Sequence, residues 1–142
     1  MKFIIILLLL PVLAFAQDDS FSSTKALAEQ GDAIAQAELG FMYFEGKGVP
    51  ENHTESRKWF RLAAEQGHTG AQLQLGNRYA FGVGVPQNDA TAYMWYSVAA
   101  ALGHEGARGE RDKASSRLSV GARNTAQQRA TRCFDSGFKD CD

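Results

Sequence analysis

The chain has 142 residues, 44% apolar and 22% charged, with a formal net charge of −1 at pH 7. That length suits one globular domain, and the composition excludes a disordered chain and a globally basic nucleic-acid binder. Two cysteines exclude a disulfide-dense miniprotein and a four-cysteine zinc site.

Residues 1–16 read as a cleaved export signal. Lys2 supplies the positive start, Phe3–Leu13 is an unbroken apolar run, and Ala14 and Ala16 are the small residues before a cut ahead of Gln17. The run is about half the roughly 20 residues that cross a bilayer. A periplasmic or secreted chain with no transmembrane segment after cleavage is expected, led by a short polar stretch over residues 17–23. Export places Cys133 and Cys141 in an oxidising compartment, where a disulfide between them is favoured over a reactive thiol. A buried free Cys133 beside a loose Cys141 is the alternative.

The next segment repeats. Shifting Ala26–Arg61 by 36 residues onto Leu62–Ser97 gives fifteen identities. Ala28-Glu29-Gln30-Gly31 returns as Ala64-Glu65-Gln66-Gly67, and Gly46-x-Gly48-Val49-Pro50 as Gly82-x-Gly84-Val85-Pro86. Ala35, Leu39 and Tyr43 are four apart and share a helix face, as do Ala71, Leu75 and Tyr79. Gly40 and Gly76 allow close approach of another helix. Gly46 and Gly82 suit a left-handed helix stop, and Asn52 and Asn88 suit the cap of the next helix. That second helix carries Trp59 with Ala63, and Trp95 with Ala99. Gly31, Gly67 and Gly103 end the second helices. Each period is then an antiparallel helix pair, and such pairs bury their apolar faces by stacking.

These residues resemble the Sel1-like repeat proteins, relatives of the tetratricopeptide solenoids. The matching pattern is Ala35/Leu39/Gly40/Tyr43, Gly46/Gly48/Val49 and Trp59/Ala63/Ala64/Gly67, with its second copy at Ala71/Leu75/Gly76/Tyr79, Gly82/Gly84/Val85 and Ala92/Trp95/Ala99/Ala100/Gly103. Ser56 departs from the family's usual alanine. The resemblance implies an all-α, right-handed α-solenoid of two 36-residue repeats over residues 24–104. It implies a protein–protein interaction module without catalytic residues or cofactor. Residues 105–142 then form a degenerate repeat and helical cap. Within it a helix is expected over about Ala107–Leu118, and another from Ser119 with Val120, Ala122, Ala126, Ala130 and Cys133 or Phe134 on one face.

Other chemistry is weakly encoded. Gly46-Lys47-Gly48-Val49-Pro50 lacks the strand and the Gly-Lys-Ser/Thr ending of a phosphate loop. His68 and His104 are one period apart, and with His53 they form no metal-ligand spacing. A cysteine-rich branch of the resembled family pairs cysteines at the spacing of Cys133 and Cys141. It suggests the alternative of a β-lactam- or cell-wall-peptide-binding enzyme. A secreted effector that binds a host protein is a further alternative.

The binding candidates come from subtraction. First-helix positions that differ between copies are Phe41/Asn77, Met42/Arg78, Phe44/Ala80 and Glu45/Phe81. First helices commonly line a solenoid's concave surface, and exposed aromatics and arginine suit interface anchors. Phe41, Phe44, Asn77, Arg78 and Phe81 are therefore the expected contacts for another protein. Arg108 and Arg111 join them, from a segment between Arg108 and Arg132 with seven basic and two acidic residues. So small a solenoid is expected to be a monomer or to self-associate weakly.

Overall fold

The computed structural model describes residues 19–142. The expected signal and its cut site lie outside the described residues. Among the described residues there are seven helices and no strand: α1 Asp19–Glu29, α2 Ala33–Glu45, α3 His53–Ala64, α4 Thr69–Phe81, α5 Asp89–Ala101, α6 Glu105–Ser116 and α7 Val120–Asp135.

Local chemistry sets the helix starts. Asn52 Oδ1 accepts from Glu55 N at 3.0 Å and Asn88 Oδ1 from Thr91 N at 2.9 Å, so both asparagines cap as expected. Asp32, His68 and His104, one period apart, cap the first helices α2, α4 and α6. Asp32 Oδ1 lies 2.8 Å from Ala35 N, and each histidine Nδ1 lies 3.1 Å from the amide three residues on. The imidazole needs more room than a carboxylate. A Cβ at Gly70 or Gly106 would come within 3.2 Å of the capping ring, whereas the aspartate-capped copy carries Ile34. The histidines are therefore helix caps, a role their spacing alone did not reveal. Asn88→Ala is expected to cost about 1 kcal/mol in urea unfolding. A loss of no more than a few tenths would show the cap dispensable.

The stops and crossings follow the repeat. α2 and α4 end at Gly46 and Gly82, whose φ angles of +68° and +66° are left-handed. α2 pairs with α3 and α4 with α5. At each crossing a glycine faces a ring: a Cβ at Gly40 would lie 2.9 Å from Phe60, and one at Gly76 would overlap the ring of Tyr96. Leu39, Phe60, Leu75 and Trp95 are buried at the centre of these pairs. Ser56, the departure from alanine, donates to Gly40 O at 2.6 Å.

The two ends differ from the repeats. α1 is a lone second-type helix whose Ala28 is buried with Ala35 and Leu39 of α2. It begins at Asp19, so most of the expected polar lead-in is helical. Phe21 anchors it, edge-on to Tyr43 at 5.7 Å. At the other end, α6 and α7 start at caps His104 and Ser119. α7 packs along α5 instead of pairing with α6 as α3 pairs with α2. Ala126, Ala130 and Cys133 form its buried face. Val120 and Phe134, expected on or near that face, are exposed; the face lies mainly along α5, with Ala126 also packed with Ala114 of α6. Cys133 and Cys141 form a disulfide that returns the tail to the main core. There Arg61 holds both Asp142 carboxylate oxygens at 2.9 Å.

Candidate functional site

The first helices α2, α4 and α6 lie one period apart and carry the variable positions. Between α4 and α6 they leave an open cleft of about 480 Å³. Leu73, Asn77, Ala80 and Phe81 form its α4 wall; Gly106, Glu110, Lys113 and Arg117 form its α6 wall. Phe81 stands 72% exposed at the rim. Asn77 is half-buried, and its carbonyl accepts from the Tyr96 hydroxyl at 2.8 Å. Burial pushes that hydroxyl up to about 12, so it remains a donor. The α6 wall holds paired charges: Lys113 Nζ with Glu110 at 2.7 Å, and Arg117 with Asp89 at 2.9 Å.

The small side chain of Ala80 keeps this cleft open. One period earlier the same position is Phe44, which is half-buried and has the Arg78 guanidinium 4.2 Å from its ring. Phe41 is partly exposed and sits edge-on to Phe60 at 4.9 Å. Phe41 and Phe44 thus spend much of their surface within the repeats, and neither lines the cleft.

Arg78 is not a surface residue. It is 2% exposed, between the rings of Phe44 and Phe60, with Nη2 donating to Ser56 Oγ at 3.2 Å. Burial lowers its pKa to about 10. The same position is Met42 one period earlier and Ala114 one later, and all three are buried. It is a packing position that changes residue, not a contact position. Arg108 is exposed, and Arg111 pairs with Asp112 at 2.9 Å; neither lines the cleft.

The structure therefore brings Asn77 and Phe81 together and supplies two residues that the sequence reading missed, Lys113 and Arg117. Their signal is the period itself: Lys113 is 36 residues past Asn77, and Arg117 is 36 past Phe81. Among the described residues no cluster of three His, Cys, Asp or Glu side chains could hold a metal ion, and no helix is long and apolar enough to cross a membrane.

Two solved structures are similar to this chain. The crystal structure of c5321, a protective antigen of uropathogenic Escherichia coli with an SLR fold, superposes with a TM-score of 0.80 at 26% identity, over 84% of this chain and 27% of that one. A Sel1 repeat protein from Oxalobacter formigenes superposes with a TM-score of 0.63 at 36% identity, over 66% of this chain and 38% of that one. This chain thus spans well under half the length of either. No curated protein matches it. The Sel1 repeat pattern matches residues 33–68 and 69–104, which are the α2–α3 and α4–α5 pairs with their loops and the caps that follow. These two segments make up half of the sequence, and the chain belongs to the Sel1 repeat family.

Proposed function

We propose that this chain is an exported protein–protein interaction module that holds a segment of a partner protein in the α4–α6 cleft. The carrying observation is Phe81, a large ring left 72% exposed at the edge of an open cleft. Folding alone gives no reason to keep it in water, whereas an interface does. Sel1 repeats generally serve as interaction modules, which supports the reading. Export is supported by the Cys133–Cys141 disulfide, a bond that persists in oxidising compartments. Binding presents a rigid surface, so little ordering cost is added when a partner docks. Leu73 and Phe81 supply apolar anchorage; Asn77, Lys113 and Arg117 supply polar selection.

The test compares wild type with Phe81→Ala in affinity capture from periplasmic extract, followed by titration of the captured partner. Losing an anchor of about 2 kcal/mol weakens binding about 30-fold. Circular dichroism must show both proteins equally helical. A partner held equally by the variant sinks this choice of face.

A further inference from the structure

α7 occupies a seat that the repeat has built twice. On α5 and α6 its contacts are well defined. Tyr93 OH donates to Gln127 at 3.0 Å, and Arg123 donates to Ser115 Oγ at 3.2 Å. Ser97, Val98 and Ala101 line the seam with Ala130, Thr131 and Phe134. Shifting the seat residues back by 36 gives Arg57, Arg61, Leu62, Glu65 and Tyr79 on α3 and α4. All five line one cleft of about 360 Å³, with Lys58 and Leu75 beside them. The cleft is the unfilled copy of the α7 seat. It lies on the α3 side, away from Phe81 and the α4–α6 cleft.

The two copies differ in charge. Tyr93, Met94 and Ser97 in the filled seat become Arg57, Lys58 and Arg61 in the open one. Glu65, the acid in the cleft lining, is held by Arg61 Nε at 2.6 Å, and Glu55 lies 3.8 Å from Lys58 Nζ. Arg57 Nε is buried without a hydrogen-bond partner. The seat floor remains apolar, through Leu62, Leu75 and Tyr79. One corner already takes a carboxylate, since Asp142 sits on Arg61 at 2.9 Å.

We infer that the α3–α4 cleft is a docking seat for an acidic amphipathic helix of a partner protein. The helical form follows from the occupant of the sister seat. The acidic face follows from Arg57, whose Nε has no partner, and from Lys58 and Arg61, which already hold carboxylates there: Lys58 holds Glu55 at 3.8 Å, and Arg61 holds Glu65 at 2.6 Å and Asp142 at 2.9 Å. A second copy of α7 is the wrong occupant, because its Arg123, Arg129 and Arg132 would bring cations to cations.

The probe is a stapled peptide with the 16-residue α7 sequence, Arg123, Arg129 and Arg132 replaced by glutamate and Cys133 by alanine. The staple makes it helical before binding, which circular dichroism verifies. Fluorescence anisotropy then follows its titration with the oxidised protein. It is expected to bind, and a stapled peptide that keeps the arginines is expected to bind about tenfold or more weakly. Arg57→Glu/Lys58→Glu is expected to weaken the acidic peptide about tenfold or more, while Phe81→Ala leaves it unchanged. Should the charge-reversed protein lose helicity, Arg57→Gln/Lys58→Gln takes its place. No binding by the helical acidic peptide, equal binding of both peptides, or equal affinity for the charge variant overturns the proposal. Because Phe81 belongs to the other cleft, failure here leaves the α4–α6 reading standing, and the reverse also holds.

Discussion

Reducing the Cys133–Cys141 disulfide is expected to lower stability by about 2.5 kcal/mol, and Cys133→Ala/Cys141→Ala by about 3 kcal/mol. The first figure is the loop-closure entropy for a separation of 8 residues. The second adds the packing lost with two buried sulfurs, which sit in one cluster with Ala63, Trp95 and Val98. The bond also holds an unfavourable backbone. Phe138 has a φ of +68°, which costs a non-glycine residue about 1–2 kcal/mol. Its ring is seated on Gly67, where a Cβ would come within 3.0 Å of it. Without the bond, the remaining polar tethers are Arg61 on Asp142 at 2.9 Å, and Arg132 on Asp140 at 3.3 Å and on Asp142 O at 3.4 Å. Arg61's hydrogen bonds hold the Asp142 carboxyl below its ordinary 3.8. That clamp is therefore complete above pH 3.8 and is lost as pH falls through the lowered value. Urea unfolding followed by tryptophan fluorescence, with and without dithiothreitol, measures the effect, and the reduced tail should detach first in acid. An unchanged midpoint on reduction would mean that packing, Arg61 and Arg132 hold the tail unaided.

Much of this architecture is legible in the sequence because identities one period apart mark positions where the backbone restricts the residue. Gly46 and Gly82 must be left-handed, Gly40 and Gly76 must admit a ring, and Asn52 and Asn88 must cap. The site is less legible because difference between copies does not mean exposure. Met42, Arg78 and Ala114 differ completely and are all buried, each fitted to its own neighbours. Phe41 and Phe44 looked free for the same reason, although Phe60 and Arg78 lie against them. Lys113 and Arg117 carry no such mark in the sequence, because the repeat's identities end before them, although its geometry continues through α6. The placement of α7 itself carries no periodic signal, since α7 leaves the repeat arrangement and lies along α5.

Arg78→Met is expected to leave stability unchanged or raise it by about 1 kcal/mol, whereas Arg78→Ala lowers it by about 3 kcal/mol. The guanidinium is 2% exposed, and its Nε has no partner. Among the described residues it has no carboxylate to offset the loss of water. Its compensation is the rings of Phe44 and Phe60 at 4.2 and 4.9 Å, worth about 2 kcal/mol when desolvated, and one bond to Ser56. Burial of a charge costs at least as much. Methionine fills the same position as Met42, 3% exposed, so its length suits the site and it carries no charge. Alanine instead leaves a void between two rings. The alkaline limb tests the same account. Burial lowers the Arg78 pKa to about 10, so above that pH the folded chain releases a proton that the unfolded chain keeps. Stability therefore gains from Arg78 as pH climbs from about 10 toward arginine's ordinary value. Tyr96, raised to about 12 by burial, acts in the opposite direction in both proteins. The difference between wild type and Arg78→Met thus isolates the guanidinium, and the methionine variant's advantage should shrink as pH rises. A methionine variant as unstable as the alanine one would show that the guanidinium contributes more than its burial costs.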